Sequence, residues 1–374
     1  MRVLVAMSGG VDSSVAAALM LREGHEVVGA TMKLWGGYSD SGCCSVADVE
    51  DARRVAQQLG IVHHVFNFTS DFERDVVDPY VAGHARATTP NPCIACNQHL
   101  KFGRFLERAR LLGFDAIATG HHARVTAAGQ RWQLRRGRDL AKDQSYVLYM
   151  LGQEELACLR LPIGELTKAE VRSVASDLGL RTAEKPDSQD VCFISKGPGR
   201  EGFLAGRIPV REGRLVTTSG DDLGKVDALE LVTVGQRRGL GLLPRTRPER
   251  RYVLDVDLTR RTATVGTLSD LLVRQVEVAD LCWSQTPPRS GVTVEVQLSA
   301  HGVPLTARWE GGQPAGTPGA GPASSGVVVF DEPTRRVAPG QAVVLYEPMG
   351  PDGLTGAGEP TDRGDVVIGG GTAL

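Results

Sequence analysis

The sequence predicts an α/β fold. A doubly wound parallel sheet comes first, followed by a small central β-rich domain and a C-terminal β-barrel. Three observations carry this. Strand and helix signals alternate through the first 120 residues, as a parallel sheet with crossover helices requires. The pattern changes near residue 195 to short strand-like runs separated by turn signals. The length, 374 residues with 41% hydrophobic side chains, is enough for two or three cores.

In chain order, Arg2–Ala6 is a short apolar strand, and Ser13–Arg22 carries apolar residues at helical spacing after a Gly/Ser turn. Glu26–Leu34 reads as a second strand, Val46–Leu59 as a helix stopped at Gly60, and Ile61–Phe68 as a third strand. Phe72–Ala85 and Leu100–Leu112 read as helices and Ala116–Thr119 as a fourth strand. Ser195–Arg200 reads as a linker. Beyond it the strand-like runs are Ala228–Val234, Arg251–Val256, Ala263–Val265, Val292–Leu298, Val327–Phe330, Ala342–Leu345 and Val366–Ile368. Gly311–Gly326 and Pro348–Gly364 hold too few apolar residues to pack and read as loops. No internal repeat is found. The expected domains are 1–197, 198–272 and 273–374.

A net charge of −2 excludes a polycation, so any nucleic-acid surface must come from local clusters of Arg and Lys. Two clusters qualify. Gly235–Arg261 has eight Arg against three acids, and Arg131–Lys142 has five basic residues against one acid. No apolar stretch approaches bilayer-spanning length, and the N-terminal run is too short for a secretory signal. Seven cysteines in so long a chain do not read as a secreted disulfide framework. The expected compartment is the cytoplasm, with no membrane partner.

Ser8-Gly9-Gly10-Val11-Asp12-Ser13-Ser14 follows the first strand directly and opens the first helix. Glycines permit close backbone approach to an oxyanion, serine hydroxyls and free helix N–H groups donate to it, and the helix dipole favours its charge. The spacing matches neither GxxxxGK[ST] nor GxGxxG, which disfavours a kinase-type loop and a dinucleotide site. The bland alternative is a plain strand-to-helix turn with Ser13 as N-cap. Asp12 is either near Mg²⁺ or a capping carboxylate.

Asn91-Pro92-Cys93-Ile94-Ala95-Cys96-Asn97 reads as a loop before a helix and admits three readings. As half a zinc site, CxxC lacks a second pair nearby, although His99 is close. As a redox pair it does not follow a first strand in the thioredoxin manner. In the third reading one cysteine is essential and its partner is distant. Cys192 is the candidate, and Cys96, just before a helix, is placed for a lowered thiol pKa. Cys158 and Cys282 read as small buried hydrophobes, and Cys43-Cys44 as part of a flexible loop.

The Ser8–Ser14 loop resembles the signature of PP-loop ATP pyrophosphatases, which cleave ATP to AMP and pyrophosphate. Ala6–Ser13, Met32–Trp35, Cys43–Ser45, Asn91–Asn97, Thr119–His122, Lys142–Tyr146, Lys185–Ile194, Gly235–Gly241, Pro339–Gln341 and Gly369–Gly371 together resemble, in order, the bacterial tRNA-specific 2-thiouridylase family. The resemblance implies an adenine nucleotide alpha hydrolase-like PP-loop domain, a small central domain and a C-terminal barrel. It implies ATP contacts at Ala6, Met7, Ser8, Gly9, Gly10, Val11, Asp12, Ser13, Met32 and Gly120, with Mg²⁺ and no tightly bound metal. It implies that the target base lies near Asn91, Pro92 and Cys93, and that tRNA meets His121, Lys142, Asp143, Gln144 and Gln341. Cys96 matches the nucleophile and Cys192 the persulfide carrier. Some family members carry Asp where this chain has Cys93, so no acid–base role is assigned there. Ser299–Gly302 replaces a more basic segment.

The implied reaction is 2-thiolation of the wobble uridine of tRNA. A uridine 2-carbonyl is a poor electrophile, and adenylation turns its oxygen into part of a leaving AMP. A persulfide on Cys192, charged by a donor protein, then delivers sulfur, and a Cys96–Cys192 disulfide remains for an external reductant. The anticodon-loop base is single-stranded and can turn into a pocket. The chain is expected to act as a monomer. Two rivals stand: a synthetase that adenylates a small metabolite, which needs no paired cysteines, and a non-catalytic RNA-binding protein with a metal-stabilised CxxC, which consumes no ATP.

Overall fold

The structure, a computed structural model, describes residues 1–35, 45–187, 191–194, 199–240, 250–311, 325–348 and 366–374. The first four strands are β1 (Arg2–Ala6), β2 (Glu26–Lys33), β3 (Val62–Asn67) and β4 (Ala116–Ala118). A hairpin, β5 (Ala123–Ala128) and β6 (Arg131–Arg136), follows, then the short β7 (Leu159–Arg160). The main sheet runs β3-β2-β1-β4-β7 and is parallel throughout. The chain therefore moves outward from β1 to β3 and returns beside β1 at β4. The ends of β1 and β4 form a topological switch point, where open α/β sheets bind ligands.

Alternation along β1 explains its burial on both faces. Val3, Val5 and Met7 join one core, beneath α1 (Val11–Arg22) and α2 (Val46–Gln58), while Leu4 and Ala6 join the other, beneath Phe72, Leu100 and Phe105. Ser45 caps α2, accepting from the Asp48 amide.

The helical run expected from Phe72 starts at Thr69 and passes through a π-turn at Glu73–Val77 before ending at His84. A larger difference concerns the cysteine segment. Helix begins at Pro92, capped by the Asn91 side chain, which accepts from the Cys93 amide. It runs through a π-helical stretch, Cys96–Arg104, into Phe105–Leu111. Asn91–Asn97 is therefore not a loop. Proline at the first helical position has no amide to leave unsatisfied, which is why the helix starts there.

The second sheet contains β8 (Gly213–Thr217), β9 (Asp222–Val226), β10 (Tyr252–Asp257) and β11 (Thr262–Gly266), in the order β10-β11-β8-β9. It closes over its own small core of Leu215, Leu229, Val253 and Val265. The strand expected at Ala228–Val234 is instead a 3₁₀ turn, Leu229–Leu231, that points Leu229 into this core. Residues 195–198 of the expected linker lie outside the described residues, and Gly199–Arg200 open a helix, Gly199–Ala205.

The remaining strands, β12 (Leu272–Trp283), β13 (Val292–Gln297), β14 (Leu305–Gly311), β15 (Ser325–Arg335), β16 (Ala342–Tyr346) and β17 (Val367–Ala373), close into an antiparallel barrel. Most of both expected loops, 312–324 and 349–364, lies outside the described residues, and Gly311 and Gly326 are paired strand residues. The predicted fold class, parallel α/β sheet, small β-rich unit and barrel, is the observed one. Among the described residues no helix is long and apolar enough to cross a membrane.

A buried polar seam joins the barrel to the first unit. Arg136 donates to Gln297 Oε1 at 2.7 Å and to Asp143 at 3.2 Å, with its guanidinium 3.6 Å over the Tyr346 ring. Ser145 Oγ meets the Tyr346 hydroxyl at 3.1 Å, and the Tyr146 hydroxyl donates to the Ala342 carbonyl at 2.9 Å.

Candidate active site

The phosphate loop leaves β1 at the switch point. Gly10 is the N-cap of α1, and no side chain caps the helix, so its first amides face the loop. Ser13 is not the N-cap. Its Oγ accepts from the Ser8 amide at 3.1 Å and donates to the Gly10 carbonyl at 3.2 Å, bracing the turn from inside. Gly9 has φ +74°, and a Cβ there would meet the Asp48 carbonyl oxygen at 2.2 Å. Close packing of α2 thus requires this glycine independently of any ligand. A Cβ on Gly120 would lie 2.6 Å from Asp12 C and Ser13 N, so the turn after β4 closes directly on the loop. The structure brings Ala6–Ser13 and Gly120 together. Met32 lies on β2, opposite Phe66 of β3.

Asp12 caps nothing. Both carboxylate oxygens accept from Lys168 Nζ, at 2.7 and 2.8 Å, and Oδ1 lies 3.3 Å from His122 Nε2. Burial works against its charge, but hydrogen bonds from His122 and Lys168 outweigh burial and lower its pKa. Lys168 opens the helix Lys168–Asp177, which Thr167 and Glu170 cap reciprocally. Its ammonium also meets Asp187 at 2.9 Å, and Asp187 in turn accepts from Lys142 and Arg172. Burial opposes the Asp187 charge as well, yet Lys142 and Lys168 hold its carboxyl far below the usual range. Lys185 completes the rim, donating to the Gly9 carbonyl at 2.9 Å and to Asp48 and Asp51 at 2.7 and 2.8 Å. The sequence does not single out Lys168 or His122 individually. Threonine, lysine and glutamate at a capped helix start mark Lys168 as the first residue of a helix but do not reveal Asp12 as its partner.

Asp12 and Asp187 converge on one cation, the Lys168 ammonium. Hard carboxylate oxygens around a single positive charge at the mouth of a phosphate loop fit Mg²⁺, which needs only one or two protein carboxylates besides phosphate and water. Among the described residues no group of three or more His, Cys, Asp and Glu side chains is placed to hold a metal.

Cys96 is 8% exposed and packs in the core beneath the sheet, whereas Cys93 is exposed. Cys96 follows a full helical turn, so the argument for a thiol acidified by a helix start does not hold for it; the capped turn upstream takes that place. Cys192 is half-buried against the same core cluster as Cys96. Its neighbour Phe193 is wedged between Phe72, Tyr80 and Phe203, with ring centroids 5.1 to 5.6 Å away. Cys158 and Cys282 are only half-buried, not core hydrophobes, and burial raises the Cys282 thiol pKa. Cys43 and Cys44 lie outside the described residues.

The residues expected to meet tRNA fall into two groups. Lys142 is exposed enough to reach a phosphate, although it pairs with Asp187. The others are engaged internally. The buried His121 ring lies between Thr119 Oγ1 at 2.7 Å and Lys101 Nζ at 3.3 Å, and burial with Lys101 nearby drives its pKa well down. Asp143 is buried, accepting from Arg136, the Gly137 amide and Ser145. The Gln144 side chain accepts from the His122 amide at 2.9 Å. Gln341 donates to the Thr89 carbonyl, and the Thr89 amide donates to the Pro339 carbonyl at 2.7 Å, so the barrel presses on the loop leading to Asn91. The Arg131–Lys142 cluster is weaker than its count, because Arg136 and Arg138 are held by Asp143 and Glu170. Residues 241–249 of the other cluster lie outside the described residues.

A parallel sheet with an uncapped phosphate loop at its switch point defines a nucleotide-binding α/β protein of the PP-loop class. Comparison with known proteins agrees in extent. Residues 1–196 match the tRNA methyl transferase HUP domain family, 201–267 the tRNA methyl transferase PRC-barrel domain, and 273–373 the aminomethyltransferase beta-barrel domain. The tRNA-specific 2-thiouridylase MnmA of Chloroflexus aurantiacus is 44% identical over 99% of this chain and 97% of its own length. Its namesake from Moorella thermoacetica is 41% identical over 99% and 98%, and that from Symbiobacterium thermophilum 42% over 99% and 91%. The chain belongs to the tRNA-specific 2-thiouridylase family, a family of enzymes.

Proposed function

We propose that the chain thiolates the wobble uridine of tRNA, using ATP to activate the 2-carbonyl and a cysteine persulfide to supply sulfur. One observation carries the reading. A phosphate loop at a switch point and two cysteines, Cys96 and Cys192, on one core cluster belong to the same compact unit. The family descriptions say methyl transferase, whereas the relatives are called thiouridylases. Methyl transfer has no use for a pyrophosphate cradle, and thiolation uses both cradle and thiols.

The uridine oxygen attacks the α-phosphorus and pyrophosphate leaves towards the first amides of α1. Asp12 and Asp187 would hold Mg²⁺, which supplies charge neutralisation to the phosphates when bound. The terminal sulfur of a Cys192 persulfide attacks C2, and the C2–O bond breaks to release AMP. The Cys96 thiolate then attacks the Cys192 sulfur. This frees the 2-thiocarbonyl and leaves a Cys96–Cys192 disulfide, so the two thiols supply the two electrons that reduce the transferred sulfur. Release of the sulfur as sulfide before attack on C2 has the same balance. Asn91, Pro92 and Cys93, at the capped helix start, border the base. His121, Asp143, Gln144 and Gln341 order the walls behind the tRNA contact made by Lys142. We further propose division at 1–197, 198–272 and 273–374, monomeric action in the cytoplasm, and charging of Cys192 by a separate persulfide-donor protein.

Incubation of undermodified tRNA with ATP, Mg²⁺ and a persulfide source, followed by mass spectrometry of nucleosides, tests the reading. Wild type forms 2-thiouridine and Cys192→Ala does not. Equal yields from both would end the carrier assignment.

A further inference from the structure

The lysines around the nucleotide site differ in one respect. Lys142 and Lys168 share Asp187, Lys168 also holds Asp12, and Lys185 lies between Asp48 and Asp51. Lys101 has no carboxylate within 4 Å among the described residues, and its contact is a neutral acceptor, His121 Nε2 at 3.3 Å. An ammonium must donate there, so His121 Nδ1 carries the proton and donates to Thr119 Oγ1. Burial and the adjacent cation keep that ring neutral, so among the described residues nothing compensates the positive charge on Lys101. A half-buried cation with no counter-ion among the described residues calls for an anionic ligand.

Its position says which one. Lys101 stands five residues, one π-turn, after Cys96 in the stretch Cys96–Arg104. Its partner His121 follows Gly120, whose backbone abuts Asp12 and Ser13 at the loop. The ammonium therefore lies between the helix that carries the thiol and the end of β4 at the switch point.

Resting on the function proposed above, the geometry points to Lys101 as a catalytic residue that binds the phosphoryl group of the adenylated base and stabilises AMP as it leaves. In that step the sulfur lone pair forms the S–C2 bond, and the C2–O electron pair moves onto the phosphate oxygen. AMP goes from one negative charge to two, and Lys101 keeps its proton. A fixed ammonium stabilises the developing dianion more than the ground state, which is the condition for accelerating the step. His121 and Thr119 hold the ammonium in place.

Lys101→Met and Lys101→Gln, the latter retaining a donor for His121, are compared with wild type and Lys101→Arg in single-turnover assays with ATP, tRNA and a persulfide source. Pyrophosphate release reads the first half-reaction, and AMP with 2-thiouridine the second. Both neutral variants should keep the pyrophosphate burst within about threefold and slow the second step by roughly 10²–10³-fold, with Lys101→Arg recovering at least about tenfold. Thiolation by either neutral variant within about threefold of wild type overturns the proposal, as does an equal loss in both half-reactions. Wild type that gives neither pyrophosphate nor 2-thiouridine overturns the proposed function itself.

Discussion

Gly120→Ala tests how the loop is held. The added Cβ would lie 2.6 Å from Asp12 C and Ser13 N, both backbone atoms, and 3.0 Å from Asp12 Cβ. Ordinary contact begins near 3.4 Å. The start of α1 and the turn after β4 must therefore part by most of an ångström, and no flexible side chain can give way instead. Overpacking of this kind costs about 1–3 kcal/mol of stability, and a displacement of roughly 1 Å at a reacting group lowers turnover about 10²-fold. The assay pairs denaturant unfolding with single-turnover pyrophosphate release. Gly206→Ala is the control, since nothing lies within 4 Å of a Cβ there. A Gly120→Ala enzyme that is as fast and as stable as the control would refute the reasoning.

Three further outcomes are expected. Asp143→Ala strands the buried Arg136 guanidinium in the seam to the barrel and should destabilise the protein by about 3–5 kcal/mol in denaturant unfolding, as for other buried ion pairs; an unchanged midpoint contradicts the seam. His84 is 2% exposed, and burial lowers its pKa from 6.5 to about 4. The folded state binds fewer protons than the unfolded chain, so this stability is complete above pH 6.5 and is lost as the pH falls towards 4. Wild type should lose on the order of 2–3 kcal/mol more than His84→Phe across that window, and parallel curves would contradict it. Asp187 has the depressed pKa of a paired carboxylate, so its contribution is present above the unfolded value near 3.8 and is lost below it. Asp187→Asn should therefore flatten the acid limb of the stability curve, and an acid limb as steep as that of wild type would contradict the Lys168 and Lys142 pairing.

Local pattern was legible where it coincided with local physics. Val3-Leu4-Val5 is buried on both sheet faces and reads as an interior strand, and the glycines and serines after it read as a phosphate loop. Elements escaped where pattern and structure part. β12 does not show as a strand in the sequence, because Asp280, at φ +52°, and a register shift between Ala279 and Cys282 break its alternation. β6 reads in the sequence as a basic cluster, since RWQLRR shows charge before it shows strand. Asn91-Pro92 is a helix start in its chemistry, cap then proline, yet proline and asparagine also suggest a loop. Ala228–Val234 is apolar enough for a strand, but a tight turn sends Leu229 and Val232 into the small core of the second sheet and Leu231 into the core of the first unit. Partners across the site were beyond reach. Lys168 lies 156 residues from Asp12, and no local signal links them. The same holds for Lys101 and His121, whose pairing needs the π-turn and the end of β4 to meet.

Peptide mapping under non-reducing conditions, after one turnover with ATP, tRNA and a persulfide source and no added reductant, addresses the sulfur chemistry most directly. The account predicts a Cys96–Cys192 cross-linked peptide that appears in step with 2-thiouridine. Thiouridine formed while both cysteines remain as thiols would contradict it.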